Sequence, residues 1–400
     1  VDAPLTLLDL SHTSHTQART GVQRVCRSLH RSLGALTRPD SIRAITWDPY
    51  ADAWRTLNEA EATGVSAEEA SMRRRSQWPL ALRLRGWARR ASRAEEPIAV
   101  GPARLIVPEI FSARVGAALP RLLASVSGPR IALFHDAIAL RLPELTPRST
   151  VARFPAYLQQ LLQFDGVAAV SEDSRESLVD WWRWLRVDRP PPVIALPLGV
   201  DPPRQDTVLA RMTALPVVLS VGSLEGRKNH LALLTAAESL WAAGAAFELR
   251  LVGLVQSETG RSALNEIRRL QQKGRPLRYD GPLSERALRA AYHECAFTVY
   301  PSLMEGFGLP VLESIGYGKP CICSRRGALG ESARGGGCVG LDQVDAPSLA
   351  AVMDGLLKSP NRLQALAQEA ASRPRRYWDT YASELLDWMT ALPRRSGAPN

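Results

Sequence analysis

Short apolar runs alternate with stretches of helical period along the chain, and the alternation runs through twice, once in each half. A chain patterned this way is restricted to right-handed βαβ units and parallel sheets, because parallel strands need a crossover helix between them. In the first half, residues 5–10 read as a strand and residues 20–36 as a helix with Val22, Val25, Cys26 and Leu29 on one face. Residues 105–107, 131–134 and 167–171 are further strand candidates. Prolines at 190–192, 197, 202 and 203 then break the rhythm and mark a hinge or linker. It restarts with strands at 217–221, 248–252, 297–300 and 320–324, interleaved with helices at 230–243, 262–272, 284–293 and 310–317.

At roughly 100–200 residues per domain, 400 residues make two domains. The expected fold class is α/β, with Rossmann-like parallel-sheet domains over residues 1–198 and 199–375 and a C-terminal helix and tail over 376–400. Ligands of such folds lie beyond the carboxyl ends of the strands, which puts the chemistry in a cleft between two facing domains. One segment departs from the pattern: residues 73–93 hold eight arginines and no acid, interleaved with Trp78, Leu80, Leu82, Leu84 and Trp87. As a helix it is basic and amphipathic, which suits an anionic bilayer surface or a lipid-linked substrate. As a solvated insertion packed on the first domain it needs no partner. Trp181, Trp182 and Trp184 read as cover for the core of their own domain.

The net charge of +10 favours anionic partners and says nothing about fold. Arginine supplies nearly all of the positive charge; Lys228, Lys273, Lys319 and Lys358 are the only lysines, so a lysine inside a motif carries more weight than an arginine. Five cysteines without a CxxC pair suit a reduced, cytoplasmic chain with neither a disulfide framework nor a zinc site. No apolar run reaches the ~18 residues of a membrane span and no signal peptide is visible. The start at Val1 fits a piece of something longer.

The most informative stretch is PSLMEGFGLPVLE, residues 301–313, which follows a strand and opens a helix. Pro310 suits a first helical position, where its missing N–H has no partner to lose, and Gly318 ends the helix. Gly306 and Gly308 leave backbone N–H groups at the positive end of that helix, an anion site that fits a diphosphate. Glu305 and Glu313 are repelled by phosphate and are better placed for hydroxyls, Glu305 for a sugar and Glu313 for a ribose. The plainer reading makes Glu313 a complement to the helix dipole and Glu305 an ordinary loop residue. A second stretch, VGSLEGRKNH over 221–230, again joins a strand to a helix. Arg227 and Lys228 are electrostatically misplaced at a helix N-terminus unless an anion sits there, and a departing diphosphate needs such neutralisation.

In the first half, His135 closes a strand and is able to hydrogen-bond a sugar hydroxyl or shuttle a proton, while Gly21 opens a helix and permits close backbone approach. His12 and His15 have HxxH spacing but no carboxylate pair nearby, so metal binding is disfavoured there. Absences narrow the choice further. There is no Asp-x-Asp for a metal-held nucleotide sugar, no GxxxxGK[ST], no GxGxxG (residues 335–340 read GGGCVG and follow no convincing strand), and no GxSxG.

These residues resemble the retaining glycosyltransferases of the GT-B fold: Glu305 and Glu313 form a Glu-x7-Glu signature, and EGFGLPVLE is similar to glycosyltransferase family 4. LPLGVD (196–201), FHDAIALRLPE (134–144) and RTGVQRV (19–25) follow the order of that family, most densely over 217–331. The resemblance implies that Gly222, Arg227 and Lys228 bind the donor diphosphate, that Glu305 with the backbone of Gly306, Phe307, Gly308 and Leu309 holds the donor sugar, and that Glu313 binds the ribose. It further implies that His135 lies near the reacting carbon, that Gly21 belongs to a loop closing on donor and acceptor, and that residues 377–389 form a helix crossing back to the first domain. The catalytic set is then His135, Arg227, Lys228 and Glu305.

The implied reaction moves a hexose or deoxyhexose with retained configuration from a nucleotide diphosphate donor to a glycan or lipid-linked glycan acceptor, without a metal or other cofactor. The signatures look most like bacterial surface-polysaccharide enzymes using GDP-mannose, at the inner face of the cytoplasmic membrane. Residues 73–93 are not part of the family's common core. Two other classes stay open: a non-catalytic sugar-nucleotide binder on the same fold, and a nucleic-acid-binding protein suggested by the charge and the Arg/Trp segment, which no recognised motif supports.

Overall fold

The computed structural model describes residues 4–16, 20–38, 41–66, 78–92, 98, 102–201 and 215–393. Residues 73–77 and 93 of the arginine-rich segment, and prolines 202 and 203, lie outside the described residues. The chain divides into two compact units. One comprises residues 1–135, 152–199 and 376–400, the other residues 136–151 and 200–375.

Thirteen strands are described: β1 (Leu5–Asp9), β2 (Ile42–Asp48), β3 (Ala53–Thr56), β4 (Ala103–Val107), β5 (Arg130–Phe134), β6 (Gly166–Ala169), β7 (Val193–Ala195), β8 (Val217–Val221), β9 (Glu248–Val252), β10 (Leu277–Tyr279), β11 (Phe297–Tyr300), β12 (Cys321–Ser324) and β13 (Cys338–Leu341). The α-helices are α1 (Gly21–Leu36), α2 (Glu59–Ser66), α3 (Leu80–Ser92), α4 (Ala113–Ser125), α5 (Ile138–Arg141), α6 (Arg148–Gln160), α7 (Glu172–Trp184), α8 (His230–Ala242), α9 (Arg261–Gln272), α10 (Glu285–Glu294), α11 (Leu309–Gly316), α12 (Gly327–Ala333), α13 (Ala346–Leu357), α14 (Pro360–Ser372) and α15 (Trp378–Ala391).

The first unit holds a seven-stranded sheet in the order β3-β2-β1-β4-β5-β6-β7, parallel except for the antiparallel β2–β3 pair. The second holds a six-stranded parallel sheet in the order β10-β9-β8-β11-β12-β13. In both, order reverses direction beside the first strand of the block, the switch point at which ligands of open parallel sheets bind. The central strands are apolar on both faces because helices cover both: β4 and β5 are buried at every residue. In the second unit Val218, Leu249, Leu251, Phe297, Val299 and Ile322 form the core with Leu233, Leu234 and Met353 of the covering helices.

The expected strands are present, with five further strands beside them. Strands β3, β7, β10 and β13 escape the periodicity because each is short and at a sheet edge, and β2 because Arg43, Thr46 and Asp48 interrupt its apolar residues. Within the proline-rich stretch the chain both ends the first sheet and passes to the second unit. Residues 193–195 are the last strand of the first sheet, where prolines are tolerated just before an edge strand, and the passage to the second unit comes at residue 200. The glycine run 335–337 follows helix α12 rather than a strand and leads into β13, and all three glycines have φ between 75° and 99°. The C-terminal helix α15 belongs to the first unit, where it packs on α1. Trp388 and Leu392 lie against Gly166, and Trp378 against Gly199, at distances that exclude any Cβ there.

Candidate active site

Two strand-to-helix loops of the second unit converge on one carboxylate. After β8 the chain makes a single 3-10 turn, Gly226–Lys228, and enters α8 through Asn229 in the left-handed conformation (φ 55°), which Asn tolerates better than most residues. After β11 comes the loop carrying Glu305. The Leu303 N–H donates to the Arg227 carbonyl (2.8 Å), tying the loops together. Lys228 Nζ lies 2.5 Å from Glu305 Oε1, and Arg227 Nη1 lies 2.8 Å from Glu305 Oε2. Arg227 Nη2 also reaches Glu225 Oε1 at 3.0 Å. Lys228 donates to the Tyr300 hydroxyl and sits 4.6 Å above the centre of the same ring. Gly222 borders the lysine stem: a Cβ there would lie 3.8 Å from Lys228 Cδ.

Helix α11 begins just beyond. Gly308, its N-cap, has φ 105°, and a Cβ would come within 3.1 Å of Leu329 and 3.2 Å of Ser332 Oγ. Glycine is needed there on both counts. Ser332 Oγ donates to the Phe307 carbonyl, fixing the turn from Gly306 to Leu309 over the helix start. Pro310 occupies the second helical position rather than the first, and Gly318 (φ 67°) terminates the helix as expected. Glu313 sits one turn in, half-buried, and accepts from Tyr292 Oη at 3.0 Å.

Electrostatics set the protonation states. Burial pushes the Glu305 carboxyl up, but Arg227 and Lys228 outweigh it and hold its pKa at about 2. Burial lowers the Lys228 pKa against the pull of Glu305, whereas Arg227 is raised because Glu305 and Glu225 overcome its burial. His230 is buried next to Lys228, and burial first and that charge second lower its pKa to about 3, so it is neutral.

Arg227, Lys228, Glu305 and Gly222 are thus brought together, and Gly306, Phe307, Gly308 and Leu309 run on from them into α11. Glu313 faces Tyr292 further along that helix. His135 and Gly21 belong to the first unit. His135 is buried, its Nε2 donates to the Pro108 carbonyl at 2.7 Å, and its own carbonyl accepts from Ser174 Oγ at 3.0 Å. Gly21 is exposed at the start of α1, and a Cβ there would meet nothing within 4 Å, so no close approach within the described chain requires glycine. Sequence reasoning missed Tyr300, Glu225 and Tyr292. Glu225 was legible as an acid two residues before Arg227; the aromatic partners had no signal beyond adjacency to the motif.

The first unit carries a different buried network at the end of β1. Glu109 accepts from the N–H groups of His12 (2.7 Å) and Thr13 (2.8 Å) and from the Thr13 hydroxyl. Asp9 accepts from the Ser11 N–H (3.1 Å) and hydroxyl (2.5 Å). Burial raises both carboxyls, Asp9 to about 7. His15 stacks on Trp78 with ring centres 3.8 Å apart. Among the described residues no group of three or more His, Cys, Asp and Glu side chains is placed to hold a metal ion.

The sequence pattern of the family described as glycosyl transferases group 1 matches residues 204–373. The serotype-specific mannosyltransferase WbdA of Escherichia coli is 25% identical over 330 residues, covering 77% of this chain and 37% of WbdA. The O-antigen chain mannosyltransferase B of Escherichia coli is 26% identical over 260 residues, covering 60% of this chain and 65% of that protein. The chain therefore spans little more than a third of the length of WbdA. Among solved structures, a sucrose-phosphate synthase from Thermosynechococcus elongatus matches with a TM-score of 0.67 at 17% identity, covering 96% of this chain and 98% of its own. Anabaena HepE, solved with UDP and glucose, matches with a TM-score of 0.63 at 14% identity, covering 98% of this chain and all of its own. The fold is GT-B.

Proposed function

We propose that this chain, which belongs through residues 204–373 to the group 1 glycosyl transferases, transfers a mannose-like sugar from a nucleotide diphosphate to a growing surface glycan. The observation that carries the reading is the convergence of Arg227 and Lys228 from one strand-to-helix loop on Glu305 from another. Two cations held ready by a carboxylate form a site that an incoming diphosphate can take over. It replaces Glu305 as partner of both cations, and Glu305 turns its acceptor oxygens to the hydroxyls of the donor sugar. With a pKa near 2, Glu305 stays ionised at working pH and serves as hydrogen-bond acceptor rather than general acid.

As the bond between the anomeric carbon and the phosphate oxygen breaks, charge develops on the diphosphate, and Arg227, Lys228 and the N–H groups opening α11 neutralise it. The acceptor hydroxyl forms its new bond on the same face and gives its proton to the departing phosphate oxygen, so configuration is retained and no dedicated base is required. Cations from the chain do the work of a metal ion. Glu313, one turn into α11, is assigned to the ribose, and His135 and Gly21 to the donor sugar and the loop beside it. The mannosyltransferase names of the relatives favour GDP-mannose as donor.

Thermal shifts with GDP, UDP, dTDP and ADP, with chelator present, test the site. A shift selective for GDP that disappears in Lys228→Ala is expected, followed by GDP release from GDP-mannose with a mannan acceptor. A shift unchanged in the variant overturns the site assignment, and a selective UDP shift overturns the donor.

A further inference from the structure

Helix α3 has its apolar side turned the wrong way for a soluble domain. At ~100° per residue, Leu80, Leu84, Trp87 and Ala91 share one stripe, and Leu80 is 64%, Leu84 53% and Trp87 47% exposed. The opposite side is what docks on the first unit. Gly86 is buried so closely that a Cβ would lie 2.7 Å from Tyr50 Cβ and 2.9 Å from Asp48 Oδ1. Arg83 stacks over the rings of Tyr50 (5.3 Å) and Trp87 (5.8 Å), and Trp87 meets Tyr50 edge-on at 5.5 Å. These contacts fix the rotation of the helix with its leucines outward, an arrangement that water alone does not favour. Its flanks are basic: Arg90 lies on one side of the stripe and Arg85 on the other, both exposed, and the helix has four arginines and no acid.

We propose that α3 seats the first unit on an anionic lipid surface, lying in the interface with Leu80, Leu84 and Trp87 among the acyl chains and Arg85 and Arg90 at the phosphates. Among the described residues no helix is long and apolar enough to cross a membrane, and α3 is an in-plane element. Charge complementarity selects an anionic surface. The leucines at the centre of the stripe select lipid over nucleic acid, which asks for aromatic platforms along a cationic groove. The proposal is independent of the donor reading, since no residue of the second unit enters it.

Flotation of the full chain with vesicles tests it, using phosphatidylcholine alone and phosphatidylcholine mixed equally with phosphatidylglycerol. Binding to the anionic vesicles only, weakened by salt, is expected. Leu80→Ala/Leu84→Ala should reduce partitioning about tenfold or more. Arg85→Gln/Arg90→Gln should reduce it about thirtyfold, at ~1 kcal/mol per arginine. Both pairs are exposed, so thermal melting and nucleotide shifts should match wild type. Trp184→Ala, at the opposite edge of the sheet and 72% exposed, should bind as wild type does. Absence of binding to anionic vesicles, equal binding by both double variants, or binding of a single-stranded oligonucleotide in place of vesicles would each overturn the proposal.

Discussion

Each unit buries a carboxylate where its switch-point strands end, and the two are satisfied in opposite ways. Glu109 in the first unit is held by backbone N–H groups and a hydroxyl of one short segment, His12 and Thr13, donors that cannot leave without unmaking the turn. Glu305 in the second is held by two long cationic side chains that can swing to another anion. A buried charge fixed by backbone is architecture. One fixed by long side chains can be released to a ligand that brings the replacement charge, as the proposed diphosphate site requires.

That contrast breaks most sharply at Lys228. Lys228→Ala should lower transfer by about a hundredfold to a thousandfold, with the unfolding of the first unit untouched; a variant with near wild-type turnover would make Glu305 as architectural as Glu109. The converse test is Glu109→Ala, which should cost about 4 kcal/mol of stability by orphaning three donors. Nine of the ten tryptophans lie in the first unit, so tryptophan fluorescence in denaturant follows it almost alone.

A pH series sharpens the comparison. Asp9 titrates near 3.8 when unfolded and near 7 when folded. The folded state therefore holds the extra proton between those values, and stability is full below about pH 4 and lost as pH rises towards 7. The first unit should lose about 4 kcal/mol across that window, and Asp9→Asn should flatten the slope. Glu305 has the opposite sign: its depressed pKa contributes stability above about pH 4.5 that is lost as pH falls towards 2. The smallest effect is expected at Tyr300→Phe. It removes the hydroxyl that Lys228 touches but keeps the ring beneath it, and should weaken GDP binding about tenfold, read as a displaced titration midpoint.

The second unit was legible because its strands β8, β9, β11 and β12 are short, mostly apolar and largely buried, and because β8 leads into a loop whose cationic residues need an anion. Arg227 at the mouth of α8 is such a residue. The edge strands were not legible: β3 alternates only over four residues, and β7 hides among prolines because an edge strand gives its neighbour only one row of hydrogen bonds. Tyr300 was invisible as a site residue for a different reason. A tyrosine ending an apolar strand looks like core, and only three-dimensional closure of the two loops puts its hydroxyl against a lysine 72 residues away.

The return of α15 to the first unit has a consequence for how the protein is made. Its partners Gly166 and Gly199, and Arg104, which donates to Thr390 Oγ1 at 3.1 Å, all leave the ribosome long before it does. At roughly 5–20 residues per second, the stretch between Ala195 and Trp378 takes on the order of ten to forty seconds to synthesise. Throughout that time the nascent first unit carries an open seat on α1, Gly166 and Gly199, while the second unit can close as soon as α14 is complete. Vectorial synthesis therefore lets the second unit close first, and the first unit waits for α15.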